Sequence, residues 1–277
     1  MEGPITRTRV GGTVLLVAYV AQRGGSPARV LHEADVVDAE LCNPEAWLEL
    51  DRMAALYEAA AAELRDPYFG VGFGATLPLQ SFGLLSYVVL NAADVETALH
   101  NLARYSASLS LTGIAADVVV DGDVARLVFT LGGARGFVCR QYFESIAAVL
   151  CVMMKALVGD QWKPYEICFE HDPAAPPAEL ERRLQGPVRF GADRHAIAFD
   201  AALLDRIVPG ADRSLLPVIE KHVNAVVGPT DVEPLVAQVR DELARMLCDG
   251  QPDIQTVARR LAMSPRTLQR RLNERAV

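Results

Sequence analysis

The chain has 277 residues, a formal net charge of −8, and 51% hydrophobic against 22% charged side chains. This composition supports a sizeable core and excludes a disordered polypeptide; at about 100–200 residues per domain it predicts two units. No window reaches the ~20 consecutive apolar residues of a membrane span, since residues 11–21 are too few and residues 145–154 are bracketed by Glu144 and Lys155. The first twenty residues lack the basic, apolar and cleavage-site succession of a secretory signal, so a cytoplasmic location with no membrane partner is expected. Cys42, Cys139, Cys151, Cys168 and Cys248 are scattered without a C-x-x-C pair. That argues against a disulfide framework or zinc ribbon and casts them as small buried apolar residues. The histidines are equally dispersed, and neither a metal nor a cofactor is expected.

Residues 11–65 read as mostly helical, most clearly 45–64, where Leu48, Met53, Leu56, Ala60 and Leu64 recur behind Asn43-Pro44. Gly70-Val71-Gly72-Phe73-Gly74 lacks both G-x-G-x-x-G spacing and the K-[ST] of a phosphate loop, so it is read as close backbone packing at a turn or strand. Residues 94–109 form an amphipathic helix with Val95, Leu99, Leu102 and Tyr105 on one face. Two β-type runs, 114–120 and 124–131, flank Asp121-Gly122-Asp123 and predict a hairpin. Residues 137–158 are apolar enough for a central helix, and strands at 165–170 and 188–190 flank a helix at 178–184. This mixed order predicts an α+β domain. Neither G-x-S-x-G nor H-E-x-x-H occurs, Asp241-Glu242 point to different helix faces, and His171-Asp172 precedes a proline-rich loop and reads as a turn. No catalytic residue is assigned, and the chain is not expected to be an enzyme.

Charge divides sharply along the sequence. Six arginines against Asp253 and Glu274 make residues 251–277 +4, whereas the preceding 250 carry 21 basic and 33 acidic groups, or −12. Thr230-Asp231-Val232-Glu233 is a capping box, Pro234 suits the first turn, and Val232, Leu235, Val236, Val239, Leu243, Met246 and Leu247 line one face up to Gly250. Asp253 then caps a short helix at 254–261, with Ile254, Val257, Ala258 and Leu261 facing inward. Ser264 and Pro265 start another helix after a loop too short for anything but a sharp crossing, as in a helix-turn-helix. Leu268 and Leu272 pack inward, leaving Arg266, Thr267, Gln269, Arg270 and Asn273 exposed. Arginine forks onto guanine and glutamine onto adenine in the major groove, so Arg266, Gln269 and Arg270 are expected to read bases, and Ser264 and Thr267 to contact phosphates. The competing reading is an ordinary helical hairpin with a basic face.

The run V-A-R-R-L-A-M-S-P-R-T-L-Q-R-R-L at 257–272 closely resembles the first helix-turn-helix of AraC/XylS-type transcriptional regulators. Pro187-Val188-Arg189-Phe190-Gly191-Ala192, Ala196-Ile197-Ala198-Phe199, Ala202-Leu203-Leu204-Asp205, Pro209-Gly210-Ala211-Asp212 and Gly83-Leu84-Leu85 resemble the effector domain of a large subgroup of that family. The resemblance implies an arabinose-binding-like sensor and dimerisation domain at 1–228 and an all-α DNA-binding segment at 229–277. Family members carry two helix-turn-helix units, so a DNA-binding domain truncated after its first unit is expected. Double-stranded DNA, a small-molecule effector and a second copy of the chain are the implied partners. Weak candidates for effector contact are the polar and aromatic residues beside apolar helices: Tyr87, Arg104, Tyr105, Arg140, Tyr142 and Trp162. The alternative is a small-molecule-binding protein or enzyme whose C-terminal helices only pack or oligomerise.

Overall fold

A computed structural model describes residues 7–43, 46–109, 114–131, 139–212, 214–227, 254–260 and 265. The chain divides into two compact units, one of Pro4–Lys221 and a second containing His222–Val277.

In the first unit, β1 (Arg7–Arg9) pairs antiparallel with β2 (Trp47–Glu49). Between them lie α1 (Gly11–Gln22), α2 (Pro27–Glu33) and α3 (Asp38–Leu41). Ser26 caps α2, its hydroxyl accepting the Arg29 N–H at 3.4 Å, with Pro27 in the first turn, where its missing N–H costs nothing. Helix α4 runs over Leu50–Leu64 and stops at Arg65, which turns left-handed. The helix expected at 45–64 thus begins five residues later, because Trp47–Glu49 is drawn into pairing with a strand some forty residues away. Cys42, just after α3, is exposed, unlike the buried Cys139, Cys151 and Cys168; Cys248 lies outside the described residues.

Next come α5 (Phe69–Thr76), a 3-10 helix (Leu79–Phe82), α6 (Leu84–Leu90) and α7 (Val95–Leu109). The glycine-rich run is therefore helical, although its close packing is real. A Cβ on Gly70 would stand 1.9 Å from the Gln141 carbonyl oxygen, and one on Gly74 2.2 Å from that of Ser145. Helix α8 (Arg140–Val158) supplies both carbonyls, so two glycines one turn apart let α5 and α8 touch backbone to backbone. Gln141 secures the contact: its side-chain oxygen accepts the Gly70 N–H at 2.7 Å and its amide donates to the Pro67 carbonyl at 2.9 Å. The first satisfies one of the N–H groups that every helix start leaves without an intrahelical partner.

The hairpin joins β3 (Ile114–Asp121) to β4 (Val124–Leu131), with Asp121 opposite Val124 and Gly122 at φ 58 in the two-residue loop. Positive φ at that first loop position preserves strand twist and favours glycine. With β5 (Glu166–Cys168), β6 (Val188–Arg189) and β7 (Ala196–Asp200) they form one sheet, in the order β3-β4-β7-β5-β6. The β5–β6 pair is parallel and the other pairs are antiparallel. Helix α9 (Ala178–Leu184) makes the crossover between β5 and β6. This is a mixed α/β domain, and α8 is its centre: every residue from Gln141 to Cys151 is buried. Among the described residues α8 is the helix long and apolar enough to cross a membrane, and here it is the core helix.

Helix α10 (Leu216–Val227) leads out of the first unit. The second unit also holds α11 (Ile254–Arg260), with Val257 and Ala258 buried and Ile254, in its first turn, exposed.

Candidate functional site

The residues expected to meet DNA, Ser264, Arg266, Thr267, Gln269, Arg270 and Asn273, lie outside the described residues, as do those of the helix expected after Thr230. What is described is the helix ahead of them, α11, and Pro265, which is helical and exposed.

In the first unit a cavity of about 60 Å³ opens between the 3-10 helix, α6, α7, β3 and α8. Its floor is Ile146, Val149, Leu150 and Met153 of α8, and its side walls include Leu85 and Val89 of α6, Leu102 of α7 and Ile114 of β3. Leu79 and Phe82, both only partly buried, form the outer wall. Two hydroxyls break this apolar lining. Ser86 donates to the Gly83 carbonyl at 2.8 Å, and Ser106 accepts the Ala116 N–H at 3.1 Å. A smaller cavity of about 30 Å³ lies on the other side of Phe82, Ile146 and Val149, towards Gly12, Leu15 and Phe73.

The six weak ligand candidates sit elsewhere; none of them lines either cavity. Tyr87 is on the exposed side of α6, and Arg104 is exposed, its guanidinium 5.1 Å from the Tyr105 ring centre. Tyr105 is buried, as is Tyr142, which meets Tyr57 edge to face at 5.6 Å. Trp162 is buried with its indole N–H lacking a partner among the described residues. Arg140 donates to the Pro67 carbonyl at 2.7 Å and faces Glu144 at 3.4 Å. Ser86 and Ser106 were not singled out from the sequence. The signal for Ser106 was its spacing: it continues the Val95, Leu99, Leu102 stripe of α7, a polar residue on an otherwise apolar face.

A buried polar cluster on the other side of α8 accompanies this cavity. Glu144 is fully buried, and burial pushes its carboxyl up to about 8 against the opposing pull of Arg140. The His171 Nε2 stands 3.9 Å from Glu144, while its Nδ1 pairs with the Asp172 carbonyl at 3.1 Å, placing the neutral ring's proton there. His195 is held between Phe143, at 3.9 Å, and Phe129, at 5.6 Å, and its Nδ1 accepts the Glu170 N–H at 3.4 Å. Burial, with His171 adding to it, pushes His195 down to about 4. Both imidazoles are therefore neutral packing groups at neutral pH.

A five-stranded sheet, one buried central helix and an apolar chamber beside that helix are the main features of the first unit among the described residues. The family model of the arabinose-binding domain of AraC transcription regulators, N-terminal, matches residues 24–208. The chain belongs to this family and is a transcription regulator with an arabinose-binding-like sensor domain. It is 27% identical over 253 residues to the HTH-type transcriptional regulator VirS of Mycobacterium tuberculosis, spanning 90% of this chain and 73% of that protein. It is 26% identical over 263 residues to the ornithine utilization regulator of Pseudomonas aeruginosa, spanning 93% and 76%. The crystal structure of the transcriptional regulator CdpR from Pseudomonas aeruginosa shares the fold, with a TM-score of 0.51 and 18% identity over 90% of this chain and 77% of that one.

Proposed function

We propose that this regulator couples effector binding in a domain spanning residues 1–228 to DNA reading by a helix-turn-helix segment at 229–277. The observation that carries the reading is helix α11. It lies downstream of the matched sensor domain, buries Val257 and Ala258, and directly precedes the Ser264-Pro265-Arg266 start of the basic run. In this arrangement Arg266, Gln269 and Arg270 read base edges from the major groove, Ser264 and Thr267 hold phosphates, and Asn273 flanks them. A homodimer would let two copies address adjacent half-sites, and the cytoplasm is where the protein would meet its duplex. Nothing in this mechanism calls for catalysis: the effector acts by binding two arrangements of the regulator with different affinity.

The test is to tag the chromosomal gene in its own host and sequence the DNA captured with the protein. Discrete sites beside promoters are expected. Arg270→Ala should relax selection at one base position, by about 1–3 kcal/mol, and leave the other positions unchanged. Uniform recovery of the genome, indifferent to Arg270, would overturn the reading.

A further inference from the structure

The cavity beside α8 has the wrong lining for a sugar. Apart from Ser86 and Ser106 the described residues that line it are apolar, with no charged or amide side chain among them. Each sugar hydroxyl buried there without a partner would cost about 1–3 kcal/mol.

The two serines have complementary capacity left over. Ser86 has spent its hydrogen on the Gly83 carbonyl and keeps its lone pairs. Ser106 is 2% exposed and lines the chamber; it has accepted the Ala116 N–H, and its hydroxyl still carries a rotatable hydrogen to donate. A buried O–H donor on the wall of an apolar chamber suits a ligand that brings one acceptor atom. A carboxylate is disfavoured, because among the described residues no cationic side chain lines the chamber to offset its desolvation.

The wall also has a movable part. Phe82 lies between the two cavities at the end of the 3-10 helix, no residue of which is fully buried. Gly83 follows at φ 56 and ψ −134, a conformation that favours glycine, so the backbone beside Phe82 is a natural pivot. Turning the Phe82 ring aside would merge the two spaces into one longer channel along Ile146 and Val149.

We infer that this channel is the effector site and that its ligand is an uncharged, mainly hydrocarbon molecule with a single oxygen function, which accepts from Ser106. This assignment rests on the sensor reading of the domain and supplies its ligand class.

Unbranched primary alcohols of increasing length, with L-arabinose and the matching carboxylic acids as comparators, would be titrated against the purified chain while its unfolding temperature is followed. The alcohols should raise that temperature saturably with a length optimum, and arabinose and the acids should not. Ser106→Ala should weaken alcohol binding about 3- to 10-fold, one neutral hydrogen bond's worth, and Ser106→Thr should restore it. Ala116→Leu, which fills the chamber, should abolish binding; should that variant not fold, the Ala and Thr pair at position 106 decides alone. Saturable arabinose binding without alcohol binding would overturn the ligand class, and alcohol binding indifferent to position 106 would overturn the site. Failure of the sensor reading shows separately: alcohols would bind with the expected Ser106 dependence, yet promoter occupancy in the host would not respond to them.

Discussion

Glu144 and His195, packed on neighbouring sides of α8, are displaced from their ordinary titration in opposite directions, and the displacement makes stability depend on pH. The folded chain holds the Glu144 proton until about pH 8, whereas an unfolded glutamate gives it up near the ordinary 4.5. Stability from this residue is complete below that lower value and is lost as pH rises towards 8. His195 runs the other way. It stays neutral in the fold down to about 4, while the unfolded imidazole charges near 6.5, so its contribution is complete above 6.5 and is lost on acidification. Replacing Glu144 by Gln keeps the shape and removes the titration. Urea unfolding should show E144Q gaining on the wild type as pH rises from 5 to 8, and a constant difference across that window would show that Glu144 is not held protonated. None of this was legible in the sequence. Glu144 stood there only as a charge bounding an apolar run, and the groups that enclose it, Arg140 and His171 among them, are brought to it by the fold.

At the scale of elements, the α5–α8 crossing depends on Gly70 and Gly74 having no side chain. Gly74→Ala would drive a methyl into the Ser145 carbonyl, which is backbone and cannot step aside, and should cost about 1–3 kcal/mol. Gly72 is the internal comparison. Its Cβ would meet the Tyr19 hydroxyl at 3.0 Å, the far end of a side chain, so Gly72→Ala should fall within about 1 kcal/mol of wild type once alanine's better helix propensity is counted. Denaturant midpoints of the two variants test the contrast, and equal losses would refute the packing argument. The hairpin β3–β4 and helix α7 were legible because each is specified locally, by a D-G turn between apolar runs and by a one-sided periodicity. The β1–β2 pair was not, because three residues at each end of a three-helix segment carry no pattern of their own. The glycine run was read correctly as a close approach but placed on the wrong element, since backbone contact leaves the same sequence trace in a helix, a turn or a strand.

For the whole molecule, the division of charge sets how the protein can meet DNA. An acidic body of −12 is repelled by phosphate, so attraction is confined to the +4 segment with its six arginines. At about 0.9 counterions released per phosphate neutralised, the log–log salt dependence of affinity should have a slope no steeper than about −5. Fluorescence anisotropy of a labelled duplex over a salt series measures it, and a much steeper slope would mean that the body also contacts the duplex. The cavity, by contrast, could not be read from the sequence. Its wall is assembled from separate elements, and an aliphatic residue facing a void has the same local pattern as one facing a neighbour. The crossing, the polar cluster and the cavity all meet on α8. Its consecutive residues serve different masters: Gln141 and Ser145 the glycine crossing, Phe143 the histidine, Glu144 the polar cluster, and Ile146 and Val149 the cavity. A helix with one wet face can drift in evolution along that face, one substitution at a time. From Gln141 to Cys151 α8 has no such face, so its history should be written in paired exchanges with its neighbours.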